Sequence, residues 1–408
     1  MNRSNGGGTA IGRGTGTGGA NLLALRSHNT ALVLDLLRGA GAEGISRLEL
    51  AERTGLTPQA VSKITARLRG EGLAAEAGRR ASTGGKPRTV LRLVPGAGHA
   101  LGVHLDRDEL RAVLVDLDGT VVAERRAPLD LGAGAETVLE GVARSAEELA
   151  AEGLAPPDPQ SADARPRGGA LAAAPTLLGL GVALPGPLDH VRGVLHRVTG
   201  FPEWDGYPLR DALERRLGVP VVVDKDTNAA ALGLAVGGAG NEEGGAGAVA
   251  GAGSFAYLHL GTGLGAGLVF GGGVHRGART GAGEFGHQVV QLDGPPCTCG
   301  ARGCIEALCL AAVARGDLAE AARVLGAGAA NLAGLLDIDQ VLLGGRTVAA
   351  APEAFVHGVG AVLDARARRE GGLDGAVPVR LAPGGPRGVA EGAAQLLLAP
   401  LFGRGDGG

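Results

Sequence analysis

A chain of 408 residues with 45% hydrophobic residues, 20% charged residues and a formal net charge of −3 has room for two or three soluble domains and is too long for one small module. Aromatic residues make up 2% of it, so its core must be built from Leu, Val and Ala, and a stacking platform for single-stranded nucleic acid is not expected. Gly is abundant, at 76 residues, and Lys63, Lys86 and Lys225 are the only lysines among 39 basic residues; this reads as coding bias, which makes any one Gly weak evidence of a special backbone angle.

Residues 1 to about 20 are rich in Gly, Ser and Thr and read as a disordered tail, without the apolar segment of a signal peptide. From 21 to 95 the chain turns basic, with twelve Lys and Arg against six acids, and the acidic excess falls on the remainder. A basic head on an acidic body points to a polyanionic partner for the head.

Within that head, ISRLELAERTGLTPQAVSKITARLRGEGL reads as two short helices. Ser46 and Glu49 have the spacing of a capping box, and Gly55 suits the turn that follows. Thr57 can cap the second helix with Pro58 at its first position, and Val61, Ile64 and Leu68 fall on one face. Ala51 is small where the two helices would cross. An αα-hairpin of an ordinary helical domain shares this pattern. The strand, basic turn and strand of Leu73 to Leu93 tell against it and predict a winged helix-turn-helix over 21–95. Gln59, Ser62 and Lys63 would then reach base edges in the major groove of operator DNA. Arg67, together with Arg79, Arg80, Lys86 and Arg88 of the wing, would meet phosphates.

After Pro95 short apolar runs alternate with Ala/Leu-rich helices: ALGVHL, RAVLVDLDGTVVAE, a helix from about 136 to 152, LGLGVALPGPLD, VPVVVDKD, FAYLHLGTGLGAGLVF and DQVLLGG. This is an α/β layout. Two low-complexity stretches, 154–175 and 236–253, interrupt it and read as loops. The apolar stretch at 168–188 is broken by Pro and Gly and makes a poor spanning helix, so no membrane is expected.

All four Cys lie between Cys297 and Cys309, which argues for a reducing compartment, the cytoplasm, and against a disulfide framework. His287, Cys297, Cys299 and Cys304 offer one imidazole and three thiolates. That set suits a tetrahedral, structural Zn²⁺ with no open position. Cys309, on a following helix, reads as a small buried residue.

The sequence resembles the ROK family (repressors, open reading frames and kinases), in particular its winged-helix transcriptional regulators of the NagC/XylR type. The resemblance is carried by the head, LPGPLD at 184–189, DKDTNAAALG at 224–233, LGTGLGAGLV at 260–269, GEFGH at 283–287, CTCGARGC at 297–304 with Glu306, and VLLGG at 341–345. It implies an actin-like ATPase (ribonuclease H-like) fold of two lobes over 97–405. It also implies a sugar or sugar-derivative effector held by Lys225, Asp226, Glu284, His287 and Glu306, with assembly as a homodimer or homotetramer. In that scheme His287 serves both zinc and sugar. Lys225 stands where the family has Asn; it can donate to a hydroxyl but not accept, and would pair with Asp226 or attract an anionic sugar.

The resemblance also separates two activities. A ROK kinase carries Asp-x-Gly-Gly-Thr-Lys after its first strand, where phosphates bind. Here residues 104–109 read His-Leu-Asp-Arg-Asp-Glu: the glycines are gone and three acids oppose a triphosphate. Asp226, the base of a kinase, is then vestigial, and the chain reads as a repressor-like regulator rather than an enzyme. An active ATP-dependent sugar kinase is the alternative.

Overall fold

The structure, a computed structural model, describes residues 28–80, 88–154, 176–198, 201–237, 253–371 and 376–404. The expected tail at 1–20, nearly all of the two low-complexity stretches, the wing turn with Lys86 and the side chain of Arg80 lie outside them.

The N-terminal part consists of α1 (His28–Gly39), β1 (Ile45–Ser46), α2 (Arg47–Thr54), α3 (Pro58–Gly70), β2 (Ala74–Arg80) and β3 (Arg88–Leu93). Local chemistry sets its helix ends. The Glu49 N–H donates to Ser46 Oγ at 3.3 Å and the Ser46 N–H to the Glu49 carboxylate at 2.8 Å, closing a capping box on α2. Gly55 ends α2 at φ 69°, and the Thr57 hydroxyl caps α3 with Pro58 in its first turn. Leu50, Ala51, Val61 and Leu68 are buried between the two helices, while Ile64 is half-buried. The antiparallel sheet, in order β1-β3-β2, lies beside them. This is a winged helix.

The remainder forms two lobes of matching design. Lobe 1 contains β4 (His99–Leu105), β5 (Glu109–Asp116), β6 (Val121–Pro128), α4 (Ala135–Gly153), β7 (Leu177–Leu184), β8 (Leu188–Asp189), β9 (Val194–Leu195), α5 (Leu209–Leu217), β10 (Val221–Lys225) and α6 (Asp226–Gly237). Its sheet order is β10-β7-β4-β5-β6, antiparallel through β4-β5-β6 and parallel through β4-β7-β10. Lobe 2 contains β11 (Ser254–Leu260), β12 (Leu264–Phe270), β13 (Gly273–Val274), α7 (Ile305–Ala314), α8 (Leu318–Leu336), β14 (Gln340–Gly344), α9 (Arg346–Ala350), α10 (Pro352–Glu370), β15 (Val379–Leu381) and α11 (Gly388–Leu398). Its order, β13-β12-β11-β14-β15, repeats the same mixture of antiparallel and parallel pairs. The run 111–124, read in the sequence as one strand, is a hairpin. The Asp116 carboxylate accepts the N–H groups of Asp118 and Thr120, both at 3.0 Å, and turns the chain.

Two joints position the site. Between the lobes, α6 crosses α11 so closely that a Cβ on Gly392 would overlap the Ala229 carbonyl. Between winged helix and lobe 1, one apolar core runs without a break from Val33, Leu37 and Leu91 to Val113, Leu117, Leu398 and Phe402. Asp35 of α1 accepts from Arg38 at 3.3 Å and from Arg404 at 2.9 Å, and the Arg38 guanidinium lies 4.2 Å over the Phe402 ring. The head is therefore packed onto lobe 1 rather than tethered to it.

Candidate functional site

Strand β10 ends at Lys225 and α6 begins at Asp226, so both side chains stand at the carboxyl edge of the lobe 1 sheet, where open α/β folds place ligands. Asp226 Oδ1 accepts its neighbour's N–H, from Thr227, at 2.7 Å. From lobe 2, a short 3-10 turn at Phe285–His287 carries Glu284 and His287 to the same place. Helix α7 adds Glu306, a nearly buried carboxylate that accepts the Leu264 N–H at 2.9 Å. The five residues expected to hold an effector thus line one cleft, together with Asp106, Arg107, His259 and Thr262.

Lys225 does not behave as either expectation had it. Its side chain is 3% exposed, and its ammonium donates to the Ala282 carbonyl at 2.5 Å and to Glu284 Oε1 at 3.0 Å. The partner is Glu284 rather than Asp226, and the positive charge is spent inside the protein. Behind it, Asp224 is buried and accepts from Arg276 at 2.7 Å and from Asn228 at 2.9 Å, which holds the end of β10 against the loop that leads to Glu284. The lining then presents Asp226, Glu306 and the remainder of Glu284 against Arg107, an acceptor-rich surface.

Residues that the sequence did not mark close the cleft floor. His104 of β4 meets His259 of β11 edge to face across the lobes, with ring centroids 6.4 Å apart, and Tyr257 Oη shares a hydrogen bond with His259 Nδ1 at 2.9 Å. Burial drives the His104 imidazole down to about 4, against the pull of Asp226, so it is neutral at physiological pH. The acidic turn is compensated as well. Arg346, at the start of α9, reaches Asp106 at 2.5 Å and Asp108 at 2.5 and 2.9 Å, and the Thr262 hydroxyl donates to Asp106 at 2.9 Å. Glu109 is turned away, to Arg111 and Arg126. A cation directly after VLLGG was the available signal for Arg346, but nothing local links it to residues 106–108.

His287, Cys297, Cys299 and Cys304 gather with their ligand atoms all within 4.8 Å of one another, a set able to hold a metal ion. Cys297 Sγ lies 3.6 Å from His287 Nδ1, and Cys299 Sγ lies 3.7 Å from Cys304 Sγ. Nδ1 faces the sulfurs, which leaves Nε2 as the free ring nitrogen of a residue that also lines the cleft. Burial and the adjacent thiols push Cys304 up to about 12; crowded thiols of this kind lose their protons to a cation rather than to water. Cys309 stands apart, buried on α7 with its thiol donating to the Ala321 carbonyl at 3.5 Å.

On the winged helix, Gln59, Ser62 and Lys63 are exposed at i, i+3 and i+4 of α3, on one face near its N-terminus. Arg79 and Arg88 are exposed on paired strands of the wing, and Arg80 pairs with Arg88 in register. Arg67 differs from expectation: its guanidinium donates to Thr30 Oγ1 of α1 at 2.6 Å and lies 3.9 Å from Glu71, so it braces the helices. Among the described residues no helix is long and apolar enough to cross a membrane.

Residues 169–315 match the sequence profile of the ROK family. A ROK hexokinase from Thermus thermophilus is 30% identical, with 72% of this chain aligned to 96% of that one at a TM-score of 0.53. The chain belongs to the ROK family. A ROK family transcriptional regulator, a homologue of the E. coli MLC protein, superimposes on 93% of this chain and 97% of its own at a TM-score of 0.68 and 21% identity, which places the winged helix and both ROK lobes in one known fold. A putative xylose repressor of Caldicellulosiruptor sp. (strain Rt8B.4) is 29% identical over 263 residues, 64% of this chain. The chain spans 59–61% of the length of that protein and of the other xylose repressors it matches.

Proposed function

We propose that this ROK protein is a DNA-binding transcriptional regulator, acting as a repressor, whose cleft senses a neutral sugar. The carrying observation is the continuous core between the winged helix and lobe 1, which makes lobe movement and movement of the DNA-reading helix one event. Resemblance to xylose repressors supports the same reading. A homodimer or homotetramer would offer paired α3 helices to two half-sites of operator DNA. Closure of lobe 2 on a sugar would reorient those helices, and a coupling of about 1–3 kcal/mol is the usual scale for such a change.

A neutral sugar is favoured over a phosphorylated or acidic one because Lys225 is already neutralised by Glu284, while Asp226 and Glu306 remain as acceptors. Carboxylates in pairs bind hydroxyls by charge-assisted hydrogen bonds and repel an anion.

The His287, Cys297, Cys299 and Cys304 cluster fits structural Zn²⁺. Tetrahedral zinc at its normal bond lengths sets S···S edges at about 3.8 Å and S···N edges at about 3.6 Å, and the two close pairs here are 3.7 and 3.6 Å. Bound zinc would staple the 287–304 segment and fix the tautomer of His287. With its N-cap at Cys304, α7 then presents Glu306 to the cleft.

Catalysis is not part of the proposal, because the phosphate turn holds two carboxylates already paired with Arg346. The kinase reading keeps one supporting observation, the position of Asp226 at the start of α6. Thermal-shift screening of zinc-loaded protein against pentoses, hexoses, N-acetylhexosamines, sugar phosphates and ATP tests both. Stabilisation by one neutral sugar and none by ATP is expected. ATP turnover that Asp226→Asn abolishes would replace the regulator with a kinase.

A further inference from the structure

In the kinase-like turn between β4 and β5 the chain places two carboxylates, and the residue that answers them comes from the opposite lobe. We propose that Asp106, Asp108 and Arg346 form a latch across the cleft, in which tethered carboxylates take the place of a nucleotide's phosphates and join lobe 1 to lobe 2 without a cofactor.

Three features of the geometry carry this. The contact is multidentate: both terminal nitrogens of Arg346 are engaged, one with Asp108 and one with Asp106 and Asp108 together. A planar guanidinium fork suits this arrangement, whereas an ammonium would not fill it. The two acids also differ in setting. Asp106 is 15% exposed against 62% for Asp108; burial alone would raise the Asp106 carboxyl, yet Arg346, the Arg107 N–H and the Thr262 hydroxyl hold it down to about 2. Finally, the arginine is aimed. Gly345 takes φ 94°, where a Cβ would overlap the Leu260 carbonyl, and the Thr347 hydroxyl donates to the Gly261 carbonyl at 3.2 Å, so the start of α9 is fixed against the β11–β12 turn.

That turn, 261–264, is shared. Thr262 touches the latch through Asp106, and the Leu264 N–H is held by Glu306, the acid next but one to Cys304. A change at either end is therefore felt in the same four residues, which gives the latch a route to the cleft lining that needs no movement of the sheet cores.

Hydrogen exchange of the full-length protein, followed by mass spectrometry on peptides covering 104–110 of lobe 1 and 259–266 of lobe 2, tests the latch without sugar or DNA. Its failure would thus leave the regulator reading intact, and the reverse holds. Arg346→Met should speed exchange in both peptides by about tenfold, the scale of a partly exposed, multiply bonded ion pair. Asp106→Asn with Asp108→Asn should do the same, and the triple variant should add nothing further. Salt at about 1 M, where screening is nearly complete, should loosen the wild type and leave Arg346→Met unchanged. Exchanging the charges, Asp108→Arg with Arg346→Asp, should restore protection. Unchanged exchange in Arg346→Met and in the double Asn variant, or loosening confined to one lobe, would overturn the latch.

Discussion

Acidification should weaken this protein through His104. Its ring is buried on β4 between the lobes, near His259, Asp226, Asp106 and Glu109, and burial drives it from 6.5 to about 4 despite the three acids. The sign follows from linkage. The folded state keeps the imidazole neutral, whereas the unfolded chain binds a proton below 6.5, so the stability associated with His104 is complete above 6.5 and is lost as pH falls toward 4. At 1.36 kcal/mol per pH unit the whole gap is worth about 3 kcal/mol, and about 2 kcal/mol of it is lost between about pH 7 and about pH 5. Urea denaturation of wild type and His104→Gln at those two pH values isolates the effect, because protonation of the Cys cluster and of surface groups is common to both. The wild type should lose about 2 kcal/mol more than the variant over that interval. Equal losses would show that His104 is hydrated or already protonated in the folded state, and the assignment of burial as the dominant cause would be wrong.

Three further outcomes follow from the same structure. Elemental analysis should find one zinc per chain; Cys299→Ser or Cys304→Ser should lose it and lower the thermal midpoint, whereas Cys309→Ala should retain it. In binding titrations on a selected duplex, Gln59→Ala should cost about 1–3 kcal/mol and relax sequence preference at one position, while Arg79→Ala should weaken all duplexes alike and reduce the salt slope by about 1. Ser46→Ala should cost about 1 kcal/mol in urea denaturation, since it opens both halves of the capping box on α2.

What could be read from the sequence is what short-range chemistry decides. The Ser46–Glu49 box, the Thr57 cap and the gathering of His287 with three Cys rest on residues a few positions apart, and the structure places them together. The ROK motifs likewise brought Asp226, Glu284 and Glu306 to one cleft. What escaped was long-range. Arg346 meets Asp106 across 240 positions, and Lys225 meets Glu284 across 59, and charge type alone does not choose among 81 acidic and basic side chains. The 111–124 run misled because its apolar alternation continues on either side of the Asp116 turn. Arg67 misled because an exposed helix face carries braces as well as contacts.

The most direct test of the account is selection of bound duplexes from a random library, followed by titration of the enriched duplex with and without each sugar of the panel. Enrichment of a site with paired half-sites is predicted, together with a change in affinity caused by one neutral sugar. Glu306→Gln, which keeps an acceptor for the Leu264 N–H, should abolish that change while leaving DNA affinity unaltered. No enriched duplex, or ATP-dependent phosphorylation of a sugar that Asp226→Asn removes, would contradict it.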